Sequence, residues 1–170
     1  QSDCREIARK LAVESDVIIE NFSPGVADRL GIGYETIHKI NPRAVYLSIS
    51  GFGQRGPYRG LPGWDPIVCG TTGTYIGQSG GEDFPPTYLV LPLASYYAAL
   101  LSAYSVTMAL YARELTGRGQ RVDISLLNAL FAASSSGIVD FEDRVLLPPA
   151  YAPQGRSPVY RLYQGSDGKW

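Results

Sequence analysis

Ser2 to Glu14 places Ile7, Ala8 and Leu11 among Arg5, Arg9, Lys10 and Glu14, which is the period of an amphipathic helix. Val17-Ile18-Ile19 follows as a short, continuous apolar run, the pattern expected of a strand covered on both faces in a parallel sheet. It exits into Glu20-Asn21-Phe22-Ser23-Pro24-Gly25, where Ser23 before Pro24 reads as an N-cap with proline at the first helical position. That helix stops at Gly31, and a second one spans Tyr34 to Ile40, halting before Asn41-Pro42. Ala44 to Ser50 reads as the next strand, broken by Gly51-Phe52-Gly53. A loop rich in Gly and Pro, Gln54 to Asp65, precedes a helix predicted over Pro66 to about Tyr75. A second glycine-rich loop, Gly77 to Pro86, leads into an extended segment from Tyr88 to Leu91.

Pro92-Leu93-Ala94-Ser95-Tyr96-Tyr97 then opens a long apolar helix that runs to about Thr116. Almost no charge interrupts it before Arg113 and Glu114, so it is expected to be buried on most sides. Ser95 stands where a side-chain oxygen would accept from a free N–H of the first turn. Gly117 is the stop signal. Arg121 to Ile124 alternates as a strand, Ser125 to Ala133 continues as an apolar helix, and the chain from Asp140 is loop-rich, with Pro148, Pro149, Pro153 and Pro158. The alternation of helices and strands predicts an α/β layer with parallel strands. Ligands bind such sheets beyond the carboxyl ends of the strands, here Glu20-Asn21-Phe22 and Gly51-Phe52-Gly53.

Composition adds mainly exclusions. The chain has 170 residues, 45% of them hydrophobic, and a net charge of −1, which suits one unit with a single core. Near-neutral charge without a basic run argues against nucleic acid as the main partner. No uninterrupted apolar run approaches the roughly 18 residues that span a membrane, and Gln1 opens into the first helix without a basic and then apolar leader. Cys4 and Cys69 show no metal spacing and read as free thiols of a cytosolic protein. Both ends read as internal points of a longer chain.

Local chemical signals are sparse. His38, beside Lys39, has no visible orienting partner. Gly51-Phe52-Gly53 lacks the third glycine of a dinucleotide fingerprint, and Gly117-Arg118-Gly119-Gln120 lacks the Lys-Ser/Thr of a phosphate loop. Tyr96, Tyr97, Tyr104 and Tyr111 fall at helical spacing and read first as packing residues. Ser95 alone is a capping serine, since a nucleophilic serine needs an adjacent base.

Taken in order, however, the stretches resemble the family III CoA-transferases. The resemblance is carried by Glu20-Asn21-Phe22-Ser23-Pro24-Gly25, Leu30-Gly31-Ile32-Gly33-Tyr34 and Ile40-Asn41-Pro42-Arg43. It continues through Ser48-Ile49-Ser50-Gly51-Phe52-Gly53, Gly56-Pro57-Tyr58, Gly63-Trp64-Asp65-Pro66 and Glu114 to Asp123. The family includes formyl-CoA and carnitine CoA-transferases, with α-methylacyl-CoA racemases as relatives. The resemblance implies a Rossmann-like large domain whose first strands precede Gln1. Residues 1–140 would belong to that domain, and residues 141–170 would lead toward a second one. It also implies cytoplasmic, interlocked homodimers that hold no permanent cofactor or metal and take a CoA thioester and a small carboxylic acid as substrates. Carried over residue by residue, it places Asn21, Phe22, Ser23 and Arg29 at the CoA site, with Pro62, Gly63, Trp64 and Asp65 as a second contact loop. A cation such as Arg29 near a phosphate is chemically apt, although a last-turn arginine also offsets a helix dipole.

In the family's reaction a carboxylate attacks the acyl-CoA thioester, giving a mixed anhydride and then an enzyme-bound aspartyl-CoA. That aspartate follows a Leu-Ala or Leu-Gly pair, and after Pro92-Leu93-Ala94 this chain has Ser95; a glycine usual four residues on is Ala99. A neutral hydroxyl without a base is a poor nucleophile, and an acyl-serine ester is a poorer acyl donor than an anhydride. Trp64 stands where the racemases carry histidine, which favours the transferase side. Three readings follow from the resemblance: a CoA-transferase, a homologue that binds acyl-CoA or serves as a dimer partner without catalysis, and a racemase-like isomerase.

Overall fold

The computed structural model describes residues 2–75, 85–134, 139, 141–143, 155–157 and 159–169. Its centre is a three-stranded sheet in the order β1 (Val17–Glu20), β2 (Val45–Ser50), β3 (Arg121–Ser125). Both pairings are parallel, with Val17 opposite Val45 and Ser50 opposite Ser125. All three strands therefore end on one edge. The helices are α1 (Ser2–Glu14), α2 (Val26–Leu30), α3 (Tyr34–Ile40), α4 (Asp65–Thr71), α5 (Leu93–Thr116) and α6 (Leu126–Ala133). The parallel α/β class expected from the alternation is the one observed.

β2 is the middle strand, and Val45, Tyr46, Leu47, Ser48 and Ser50 are all buried. Alternate residues feed two cores. On one face Tyr46 joins Ala12, Ile37 and Ala44, with Ile18, Ile32 and Tyr34 packed around them. On the other, α4, α5 and α6 meet through Val68, Cys69, Ala94, Ala98, Leu126, Ala129 and Leu130, against Ile49 and Ile124. The small side chains of α5 let its backbone approach α6 and the sheet closely. Gly117 ends α5 with φ 72° and donates to the Arg113 carbonyl at 2.8 Å. Gly119 must be glycine because a Cβ would overlap the Ala44 carbonyl. Arg113, buried near that end, donates to Asp16 at 2.8 Å and ties α5 to the entry of β1.

Several expectations change. Among the described residues β1 pairs only with β2, Ile19, which alternates away from Ile18, is 63% exposed, and of the three strands only β2 is buried on both faces. Ser23 caps no helix: α2 starts at Val26 behind Gly25 at φ 80°, and Ser23 contributes only its carbonyl, accepting from Val26 N–H at 3.1 Å. α4 stops at Thr71, short of Tyr75, and turns through Gly73 at φ 70°. Two short antiparallel strands, β4 (Gly155–Ser157) and β5 (Tyr160–Arg161), occur in the segment expected to be loop. Residues 77–84 of the second glycine-rich loop and the prolines after Asp140 lie outside the described residues.

The largest correction concerns α5. Its bounds are those expected, but one whole face is exposed, including Tyr96, Leu100, Tyr104, Tyr111 and Leu115. By length and composition alone it would also cross a membrane, with a mean hydropathy of 1.3. Counting uninterrupted apolar residues misses this, because Ser, Thr and Tyr interrupt the run without making the helix polar. Ala94, Ala98 and Ala109 pack inward, as in the core helix of a folded domain.

Tyr46 gives the fold a pH signature. Burial first, and then the carboxylates of Glu20 and Asp28, push its phenol up to about 12, while Arg121 opposes them. Its hydroxyl donates to the Ile32 carbonyl at 3.0 Å. The unfolded chain loses this proton near its ordinary value of about 10, so above that pH the folded state holds more protons and stability falls. Urea midpoints are expected to be insensitive to Tyr46 below pH 10 and to decline from there through pH 12. Tyr46→Phe, at the cost of one hydrogen bond of about 1 kcal/mol, is expected to flatten that decline.

Candidate functional site

The strand ends are stitched together by polar side chains. Glu20, the last residue of β1, accepts from the Phe22 backbone N–H at 2.8 Å and from the Ser48 hydroxyl on β2. Gln54 in turn donates to Ser48 at 2.8 Å. This fixes the exit of β1, the end of β2 and the start of the next loop relative to one another. That loop returns at Gly63, which lies directly on Gly51: a Cβ on either would overlap the other's Cα. The Gly51 carbonyl also accepts from Leu127 N–H at 3.0 Å, anchoring the same point to α6.

Between these anchors opens a cavity of about 1070 Å³. The β1 exit lines it with Asn21, Phe22 and Ser23, the β2 exit with Ser50 and Gly51, and the returning loop with Pro62, Gly63 and Trp64. Arg55 and Arg59, exposed on the loop, and Arg121 on β3 add positive charge, while Asp28, Glu35 and Asp123 add negative charge. Arg121 is held by Asp123 at 2.9 Å, so the two loop arginines are the cations best placed to meet an incoming anion. The volume lies just above the ~300–1,000 Å³ usual for small-molecule sites.

Beyond the cavity's lining, Asp65 occupies the junction of α4 and α5. One carboxylate oxygen accepts from the Ser95 backbone N–H at 2.7 Å, and the other from the Cys69 thiol at 3.3 Å. Ser95 is the third residue of α5, and its N–H is one of the unpaired donors of that end. The helix is thus capped from outside by a carboxylate, where it is stabilised by the helix dipole. The Ser95 side chain makes no capping bond, which corrects the expectation from its position. Burial first, and then the bond to Asp65, push the Cys69 thiol up, so it stays protonated and unreactive.

The cavity therefore gathers Asn21, Phe22, Ser23, Pro62, Gly63 and Trp64. Arg29, exposed on α2 with its guanidinium near Gly25, does not line it, and neither do Asp65 and Ser95. His38 stacks on Tyr34 at 5.2 Å and is a packing residue of α3. Among the described residues no cluster of His, Cys, Asp or Glu could hold a metal ion. Glu20 was placed at the ligand edge from the sequence, whereas Ser48, Gln54, Arg55, Arg59 and Arg121 were not assigned to the site. Two arginines inside a glycine-rich loop after a strand were a usable signal; the Glu20–Ser48 contact had none, since nothing in sequence brings residues of neighbouring strands into register.

The family profile of CoA-transferase family III matches residues 1–170. Acetyl-CoA:oxalate CoA-transferase of Acetobacter aceti is 41% identical over 129 residues, covering 75% of this chain and 33% of that protein. The succinyl-CoA–L-malate CoA-transferase beta subunit of Chloroflexus aurantiacus is 38% identical over 176 residues, covering 96% and 41%. Among solved structures, a CAIB/BAIF family protein from Brucella suis superposes with a TM-score of 0.75 at 34% identity, over 80% of this chain and 36% of that one. The chain thus spans about a third to two fifths of the length of these relatives.

The external cap is testable by substitution. Asp65→Ala is expected to destabilise the fold by about 1–2 kcal/mol, the loss of a helix cap. Ser95→Ala is expected to stay within about 0.5 kcal/mol of the parent. Equilibrium urea unfolding of both variants measures the difference.

Proposed function

The chain belongs to CoA-transferase family III, and on that premise we propose that it binds an acyl-CoA across the strand ends, as part of a protein that moves CoA to a free carboxylic acid. The observation that carries this is the cavity walled by Asn21–Ser23 on one side and Pro62–Trp64 on the other. Those are two segments that the family resemblance assigns to CoA. A CoA thioester is long and multiply anionic. A large open cavity with arginines on its loop side and an aromatic at each wall, Phe22 and Trp64, suits its phosphates and its adenine. CoA is then a substrate that comes and goes, in a cytoplasmic homodimer. Asp65 and Ser95 are proposed to lie along the extension of the site toward the acyl group, and Arg29 beside a CoA phosphate.

At the position of Ser95 a carboxylate would attack the thioester carbonyl, release CoA thiolate and form an acyl-aspartyl anhydride. The thiolate would then attack the aspartyl carbonyl and free the first acid. The N-terminus of α5 would stabilise such a carboxylate, and the neighbouring Asp65 would oppose a second charge. Serine there carries neither the charge nor a base: it is exposed, and the chain's single histidine is engaged in α3. This favours, as a second reading, a homologue that binds acyl-CoA without turning it over. With both Ser95 and Trp64 in place of acid–base groups, the racemase reading has the least support.

Exchange of CoA from an acyl-CoA onto a panel of carboxylates, followed for the parent protein and for Ser95→Asp, tests the proposal. The aspartate variant is expected to exchange at least about 100-fold faster, the scale of a well-placed catalytic group. Equal turnover by the parent would show that the nucleophile lies elsewhere. No CoA binding by either would remove the cavity from the account.

A further inference from the structure

Glu20, Ser48 and Gln54 form a short relay whose hydrogen-bond directions are settled by their chemistry. A carboxylate only accepts. Glu20 takes the Phe22 backbone N–H on one oxygen and the Ser48 hydroxyl on the other. The single Ser48 hydrogen is thereby engaged, and its oxygen is left to accept. Gln54 must therefore turn its amide NH2 toward Ser48, which it meets at 2.8 Å. Ser48 is 1% exposed and stands opposite Glu20 in the strand register, so bulk water has little access to this junction. Glu20 and Ser48 do not line the large cavity, whereas Gln54 does. The group that Gln54 has left is its carbonyl oxygen, which has no partner among the described residues.

We propose that this oxygen is a fixed hydrogen-bond acceptor for the ligand, and that Glu20 and Ser48 are the positioning residues that hold it so. The site then selects a ligand group that donates an N–H to Gln54. An amide free to turn over would offer NH2 or oxygen and select neither; the relay removes that freedom. A few placed polar groups of this kind are what orient a ligand in a large pocket. The inference rests on CoA occupying the cavity, and it deepens that reading by adding a neutral contact to the charges of Arg55 and Arg59. CoA carries two kinds of N–H that fit, the 6-amino group of adenine and the amides of pantetheine.

Glu20→Gln keeps the side chain's shape but introduces a donor. The Phe22 N–H cannot turn, so the new amide keeps its oxygen there and directs its NH2 at Ser48. Ser48 then sends its hydrogen to Gln54, which must reverse and present NH2 to the ligand. A contact that only held the strands together would have no such effect at Gln54.

Calorimetric titration of CoA into the parent, Glu20→Gln, Gln54→Met and the double variant tests this. Each single variant is expected to bind CoA about tenfold more weakly, the scale of one hydrogen bond. The double variant is expected to lose about tenfold as well, not the roughly 100-fold of independent effects. Adenosine 3′,5′-bisphosphate, which lacks pantetheine, and a CoA with oxygen in place of the adenine amine identify the donor. If it is adenine, the bisphosphate shows the same losses and Glu20→Gln prefers the 6-oxo analogue. If it is pantetheine, the losses spare the bisphosphate and fall equally on CoA and its 6-oxo analogue. Losses that add, or CoA affinity unchanged in Gln54→Met, would overturn the relay while leaving the CoA cavity standing. The second of these results decides even if Glu20→Gln unfolds. No binding by the parent would overturn both.

Discussion

The bond from Ser95 N–H to Asp65 is the contact on which the site's geometry depends. A long helix must begin at a defined point if its first turn is to face a ligand, and the end of α5 supplies no cap of its own. Asp65 provides it from α4, thirty residues earlier in the chain. The same residue closes the loop that began at Gly51 and touched back at Gly63. Strand end, loop and helix start therefore form one braced ring: two glycines pressed together at one point, a carboxylate on a helix N-terminus at the other. The cavity lies inside the first brace and position 95 sits at the second.

That arrangement makes the shape of the cavity independent of the side chain at position 95. The walls depend on backbone proximity and on Asp65, neither of which involves the side chain at 95. Serine at that position leaves the cap intact, since it is the backbone N–H that Asp65 holds. A substitution at position 95 is therefore expected to leave the cavity intact, so binding and turnover can be separated experimentally.

Much of the fold was legible because it is periodic. The mostly apolar run of Val45 to Ile49, interrupted only by Ser48, and the alternation of helix and strand follow from burial alone, and the parallel sheet follows from them. What was not legible depended on neighbours in space. Ile19 reads as buried until β1 proves to pair only with β2 among the described residues; Ser23 and Ser95 have capping chemistry, but Gly25 and Asp65 do the work. α5 reads as buried because its composition is apolar, whereas burial is decided by which face carries the alanines. At the site, the strand-exit segments were found because α/β sheets bind at that edge. The contact of Gly51 with Gly63 depends on a loop closure that no local pattern encodes.

The central claim is that the braced cavity at the strand ends binds CoA, and calorimetric titration of CoA into the protein and into Gly51→Ala tests it most directly. The added Cβ must push Gly63 and its loop outward. The account predicts measurable binding to the parent and a loss of at least about tenfold, roughly 1.4 kcal/mol, in the variant, with the fold retained by circular dichroism. Equal affinity in the two proteins, or no binding to the parent, would contradict it.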